Sequence, residues 1–150
     1  MATYGTLQRR FSELTDLEKQ HWVLLYEGVG TIFLRVSILL GLRPPAPEKL
    51  RLGVVNEDGK FQERSAEEIP KKSRQLEFSI ELSLSDKESE FPPNRLVTHW
   101  EVTREGMDFM LISNGKKIHI TDFDKAAVAV IEGFSKALEE YDPTKKRIIS

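Results

Sequence analysis

The amino-acid sequence predicts an α+β fold. We expect a two-layer sandwich in which a long N-terminal helix and a C-terminal helix cover one face of an antiparallel meander of about five or six strands. Apolar residues recur at helical spacing near both ends of the chain, and they alternate with polar residues in between, where Asn-Gly and Asp-Gly pairs mark turns. The 150 residues suffice for one hydrophobic core. We therefore predict a single domain over residues 1–150, with flexible tails at 1–10 and 143–150.

The first helix is predicted to begin at residues 15–18, where Thr15-Asp16-Leu17-Glu18 has the pattern of a capping box. Phe11 and Leu14 extend the apolar pattern weakly toward the N-terminus, which indicates an earlier turn. Gly41 and the Pro44-Pro45 pair end the helix. Between these limits apolar residues recur at helical spacing: Trp22, Leu25, Tyr26, Val29, Ile32, Phe33, Val36, Leu39 and Leu40.

Two features of this helix need further explanation. Gly28 and Gly30 lie in its middle, where a glycine costs roughly 1 kcal/mol, so we expect a kink, a break or a close approach of another element. Leu34, Ile38 and Leu42 lie off the main apolar face and need a second covering surface. We predict that another chain covers these three residues as a homodimer interface, or that another element of the same chain covers them.

The same apolar run, residues 22–42, is long enough to be considered as a membrane span. Glu27, Thr31 and Arg35 recur at helical spacing within it and form one polar stripe. We therefore interpret the run as an amphipathic helix and predict no interaction with a membrane.

The central part of the chain has the pattern of short strands. Residues 50–56 and 60–62 flank Asp58-Gly59, a hairpin signal, and polar loops follow at 63–74 and 86–94. Between the loops, strict alternation predicts a half-buried strand. Its apolar residues are Leu76, Phe78, Ile80, Leu82 and Leu84, and its polar residues are Glu77, Ser79, Glu81 and Ser83.

Two further turn signals predict cross-strand pairs. Asn114-Gly115 as a two-residue turn places Ser113 opposite Lys116, and hence Leu111 opposite Ile118, Met110 opposite His119 and Phe109 opposite Ile120. Glu105-Gly106 as a turn places Arg104 opposite Met107, Val102 opposite Phe109, Glu101 opposite Met110 and Trp100 opposite Leu111. The apolar face then carries Trp100, Val102, Phe109, Leu111, Ile118 and Ile120. The polar face carries His99, Glu101, Thr103, Asp108, Met110, Ile112, Lys117 and His119.

The C-terminal helix is predicted to follow directly. Thr121-Asp122 provides a helix cap, and Asp142-Pro143 ends the pattern. Its apolar positions are Phe123, Ala126, Ala127, Val130, Ile131, Phe134, Ala137 and Leu138. We expect Val130, Ile131 and Phe134 to pack on the apolar face of the sheet.

Composition narrows the possible functions. The formal net charge is −2 and the basic residues are scattered, so we predict no binding to nucleic acid. The absence of cysteine excludes disulfides, thiol catalysis and cysteine-ligated metals. The first ten residues lack the apolar run of a signal peptide, which favours a cytoplasmic location. No nucleophile or phosphate-binding motif is present, and we predict neither a cofactor nor a metal site.

These observations favour a non-enzymatic cytoplasmic protein-interaction module of chaperone, adaptor, or immunity or inhibitor type, acting as a homodimer. Its partner would be another protein, bound on the polar sheet face. The candidate partner-binding residues are Glu77, Glu81, His99, Glu101, Asp108, Lys117 and His119. The alternative is a small enzyme or small-molecule-binding protein with a pocket between the sheet and the 63–74 or 86–94 loop.

Overall fold

A computed structural model describes residues 1–144 and has the predicted α+β architecture. The helices are α1 (Tyr4–Leu39) and α2 (Phe123–Glu139), and a short 3₁₀ turn spans Ala66–Glu68. The strands are β1 (Leu50–Val55), β2 (Phe61–Glu63), β3 (Lys71–Lys72), β4 (Gln75–Ser83), β5 (Arg95–Glu105), β6 (Asp108–Ser113) and β7 (Lys116–Ile120). Seven antiparallel strands therefore replace the five or six predicted, because the 63–74 segment contains β3.

The sheet has the strand order β2-β1-β4-β5-β6-β7, and β3 pairs with the start of β4 beside β1. Helix α1 contacts β4, β5 and α2, whereas α2 contacts β5 and β7. Both helices thus cover the same sheet face and form the second layer. The opposite sheet face carries the polar side chains of β4 to β7.

The predicted register of the β6–β7 hairpin is confirmed, whereas the residue pairs predicted between β5 and β6 are wrong. Asn114 and Gly115 both have positive φ, at 50° and 78°, and Ser113 pairs with Lys116. The preceding turn instead uses Gly106 and Met107, so Val102 pairs with Leu111 rather than with Phe109. Glycine takes the first central position with φ 63°, as in a type II′ turn, because glutamate avoids positive φ. The shift is two residues, so every side chain keeps its predicted face.

The core lies between this apolar face and the helices. Trp100, Val102, Leu111 and Ile120 are buried, and Phe109 and Ile118 are half-buried beside them. From α2, Val130 and Phe134 are buried and Ile131 is partly buried, all within this core.

Helix α1 begins at Tyr4, so the predicted start at residues 15–18 is wrong. Thr3 caps the helix, because its hydroxyl accepts a hydrogen bond from the Thr6 backbone N–H at 3.2 Å and the Thr6 hydroxyl accepts one from the Thr3 backbone N–H at 2.9 Å. Thr15 lies inside the helix and donates to the carbonyl of Phe11 at 2.9 Å. Residues 4–10 are therefore helical. Most of the predicted C-terminal tail, residues 145–150, lies outside the described residues.

Gly28 marks a close approach, and the helix is continuous through both Gly28 and Gly30. Gly28 is buried, and a Cβ built there would lie 3.2 Å from the ring of Phe109 and 3.6 Å from that of Phe123. Gly30 has more room, since the nearest atom to its Cβ position is the Cβ of Ala66 at 3.8 Å. Gly28 thus lets the sheet approach the helix closely.

Candidate protein-interaction surface

Helix α1 consists of two halves in opposite environments. In the second half, Leu25, Val29 and Ile32 are fully buried and Trp22 is 9% exposed. In the first half the apolar side chains remain in solvent: Tyr4 is 78% exposed, Leu7 59%, Phe11 73% and Leu14 47%. We call residues 4–17 the arm, and Tyr4, Leu7, Phe11 and Leu14 the arm stripe.

The arm stripe lies on the same side of the helix as the buried residues. Eighteen residues make five turns at 3.6 residues per turn, so residues 18 apart face the same direction. Tyr4 corresponds to Trp22 and Leu7 to Leu25, and likewise Phe11 corresponds to Val29 and Leu14 to Ile32. The helix therefore continues one apolar face beyond the part of the protein that covers it.

The contacts around Glu18 mark the place where the arm begins. Glu18 forms an ion pair with Arg74 and accepts a hydrogen bond from the Trp22 indole N–H at 3.1 Å. The ring of His21 lies 3.2 Å from the carbonyl of Arg74, and the ammonium of Lys71 lies 4.9 Å from the Trp22 ring centroid. The segment that carries β3 thus holds the helix at this level, and the apolar face of α1 is open to solvent on the N-terminal side.

The charges at this junction stabilise each other. The hydrogen bond from Arg74 lowers the pKa of the Glu18 carboxyl, and the bond from the Trp22 indole lowers it further. The same ion pair raises the pKa of the Arg74 guanidinium. Arg35 and Asp124 form a second ion pair between α1 and α2, which raises the pKa of Arg35.

The predicted partner-binding residues do not form one site. Glu77, His99 and Glu101 line an open groove of about 660 Å³ on the polar sheet face. In this groove the Ser79 hydroxyl lies 2.9 Å from Nδ1 of His99, and Gln75 donates to Glu101 at 2.7 Å. Lys72 reaches Glu77 at 2.9 Å, and this contact raises the pKa of the lysine.

The remaining members lie elsewhere. Glu81 lies on the predicted face of the sheet, but it is only 5% exposed and accepts a hydrogen bond from Nε of Arg51 at 2.9 Å, so it is not open to a partner. Burial of this carboxylate is possible because Arg51 on the neighbouring strand pairs with it. His119 lies 3.3 Å from Asp108, and Lys117 lies 2.9 Å from the partly exposed carboxylate of Glu105, toward the β7 edge of the sheet.

The predicted oligomer-interface residues also differ among themselves. Leu34 is 46% exposed and Ile38 is 43% exposed. Leu34 lies nine residues after the buried Leu25, and Ile38 lies nine residues after the buried Val29. Nine residues make two and a half turns, so both side chains lie on the opposite side of the helix. Leu42 is half-buried and packs against the core of its own chain.

Cavities lie beside both loops that the alternative hypothesis singled out. One, of about 540 Å³, is bounded by α1, by residues 44–47 and by residues 63–68. Another, of about 450 Å³, is formed by Glu88, Ser89, Glu90, Pro93, Asn94 and Arg95. Within residues 1–144 no group of three or more His, Asp or Glu residues is arranged to hold a metal ion.

Sequence reasoning missed Tyr4 and Leu7 as interaction residues, and it took Phe11 and Leu14 as a weak extension only. The 18-residue correspondence with the core residues is the signal that could have found all four. By length and composition α1 could also cross a membrane, but core helices of soluble proteins pass the same criterion. No protein-family model, curated protein or solved structure matches this chain.

Proposed function

We propose that this protein is a non-enzymatic interaction module that binds another protein through the arm stripe. The observation that carries the proposal is the 18-residue correspondence: the arm repeats the apolar face of a core helix where nothing in residues 1–144 covers it. Exposed apolar patches of this kind mark interaction sites. The chaperone, adaptor, and immunity or inhibitor classes and a cytoplasmic location belong to this proposal, and homodimer formation is a separate inference.

The stripe supplies a substantial part of the free energy that association needs. Full burial of a Leu or Phe side chain contributes about 1.5–3 kcal/mol, so the four side chains offer at most roughly 6–12 kcal/mol. Association costs an estimated 4–15 kcal/mol in lost freedom. The two ranges overlap, and contacts on the partner or at the polar groove would complete the interface. Charged residues in the groove would act mainly on specificity and association rate.

The polar groove supports catalysis less well than it supports recognition. Ser79 and His99 form a hydrogen-bonded pair, but in the described part of the chain no carboxylate contacts the ring of His99. A serine nucleophile needs a base that a third group orients, and this groove lacks that third group among residues 1–144.

The test compares how much of other proteins the wild-type full chain and two variants of it capture. The arm variant carries Leu7→Ser and Phe11→Ser, and the matched control carries Leu34→Ser and Ile38→Ser on the opposite side of the same helix. We expect the arm variant to capture at least about tenfold less of the proteins bound by the wild type, as loss of two buried apolar anchors predicts. The control should retain them.

Circular dichroism and unfolding midpoints keep the comparison interpretable, because all four residues are exposed and their replacement should leave the fold intact. Equal capture by the wild type and the arm variant would contradict the proposal.

A further inference from the structure

We infer that the arm stripe pairs with the arm stripe of a second copy of this chain, and that the two arms run antiparallel. This inference rests on the proposed function and names its partner. Three observations carry it: the position of the domain on α1, the spacing of the stripe, and its apolar area.

The position of the domain decides the direction of pairing. The arm stripe and the buried residues Trp22, Leu25 and Val29 share one side of one continuous helix, and the sheet and α2 occupy that side from Trp22 onward. A helix lying on the arm stripe therefore has to end near Glu18. If the two arms ran parallel and in register, the second half of each α1 would have to lie where the core of the other copy already is. Antiparallel arms avoid this conflict.

The spacing of the stripe fits antiparallel layers. Its members are separated by three, four and three residues, which is the spacing of the a and d positions of a coiled coil. If the two arms cross at Arg9, Tyr4 lies opposite Leu14 of the second copy and Leu7 lies opposite Phe11. Every layer then pairs one leucine with one aromatic ring. The two helices then overlap over residues 4–14, about 16 Å, and the overlap ends before Glu18, where each domain begins.

The available area is close to what a specific dimer needs. Tyr4 and Phe11 are 78% and 73% exposed in the single chain, so about three quarters of their surface is available. Four such aromatic side chains, two from each copy, bring about 450–750 Å² at three quarters of 150–250 Å² each. The four leucines of the two stripes add to this, and the total approaches the ~1,200 Å² at which specific interfaces begin.

The charged residues of the arm are compatible with this pairing. Arg9, Glu13 and Asp16 are exposed and lie on the side of the helix away from the stripe. Pairing through the stripe therefore leaves these three charges in solvent.

Sedimentation of the full chain over a range of concentrations tests the partner. We expect the wild type to dimerise, and Leu7→Asp with Phe11→Asp to raise the dimer dissociation constant at least 100-fold. The matched control, Leu34→Asp with Ile38→Asp, should dimerise like the wild type. Circular dichroism establishes that both variants remain folded. A wild type that stays monomeric at every concentration overturns the inference, and so does a dimer lost only in the control variant.

Spin-label distances test the direction. The chain has no cysteine, so Arg9→Cys and Asp16→Cys each provide a single labelling site, both pointing away from the stripe. In antiparallel arms the two Arg9 sites lie at the same level, whereas the two Asp16 sites are separated by about 20 Å along the axis. Equal distances at both sites indicate parallel arms and contradict the inference.

The outcomes separate this inference from the function on which it rests. If the chain is monomeric but the arm variant loses capture of a different protein, the proposed function stands and the second-copy inference fails. If the arm binds vesicles of anionic lipid and the chain remains monomeric, both fail. A dimer that the arm variant abolishes supports both.

Discussion

The two halves of α1 have the same apolar spacing and opposite surroundings. Leu25 is fully buried and Leu7 is 59% exposed, although both lie on the same side of one helix. Amphipathic spacing therefore identifies the side of a helix that needs an apolar neighbour, but not whether that neighbour belongs to the same chain or to another. For the second half it comes from the same chain, through β4, β5 and α2. For the arm we propose that it comes from another chain.

The sharpest test of the comparison is the pair Leu25→Ala and Leu7→Ala, because the residue type and helix position match. Leu25→Ala creates a cavity in the core and should lower the free energy of unfolding by about 2–5 kcal/mol. Leu7→Ala should change it by less than about 0.5 kcal/mol in dilute solution. Urea unfolding at two protein concentrations measures both effects.

The concentration dependence adds a second criterion. If arms pair, Leu7→Ala should become more destabilising as the protein concentration rises, because only the dimer buries this side chain. A large effect of Leu7→Ala at the lowest concentration would show that the arm is covered within its own chain.

A smaller effect is expected from the glycines where the sheet approaches the second half. Gly30→Ala should raise stability by about 0.5–1 kcal/mol, because alanine favours the helix and its Cβ meets only ordinary contacts. Gly28→Ala should be less stabilising than Gly30→Ala by about 1 kcal/mol, since its Cβ would press on the ring of Phe109. Thermal unfolding compares the two variants directly, and an equal gain at both positions would contradict the close approach.

The smallest effect concerns the junction between the halves. The pKa of Glu18 is lowered in the folded chain, so its ion pair with Arg74 stabilises the fold above the ordinary glutamate pKa of about 4.5. This contribution is lost as the pH falls below that value and through the lowered pKa. Between about pH 5 and pH 3 the wild-type midpoint should therefore fall more steeply than that of Glu18→Gln.

Asp16→Asn serves as the control, because Asp16 is an exposed carboxylate on the arm, just before the junction. A change as large for Asp16→Asn as for Glu18→Gln would show that the effect does not come from the Glu18–Arg74 ion pair. Parallel profiles for the wild type and Glu18→Gln would show that the junction contributes nothing measurable.

Much of the fold could be predicted because its signals are local. The Asn114-Gly115 turn and the alternation along β4 to β7 depend on neighbouring residues, so the faces of the sheet followed from sequence even where the β5–β6 pairs were wrong by two. The start of α1 was missed because the capping box at Thr3 uses Thr6 in place of the usual Glu or Gln, whereas Thr15-Asp16-Leu17-Glu18 has the usual pattern.

Less of the candidate surface could be predicted. Glu81 alternates like its neighbours, yet it is buried because Arg51, 30 residues away in the chain, pairs with it across the sheet. The groove at Glu77, His99 and Glu101 likewise depends on how β1 and β3 meet β4, which no local pattern records.

The two helices, the main strands, the faces of the central strands and the apolar side of α1 could all be predicted from sequence, since each depends on residue spacing and turn chemistry over a few residues. Which part of that apolar side is covered depends on the tertiary structure. Its sheet and second helix reach α1 from Trp22 onward, where the Glu18–Arg74 ion pair holds the 63–74 segment against the helix, and they leave the arm stripe in solvent. The reason is that coverage depends on where distant segments meet, which local spacing does not encode.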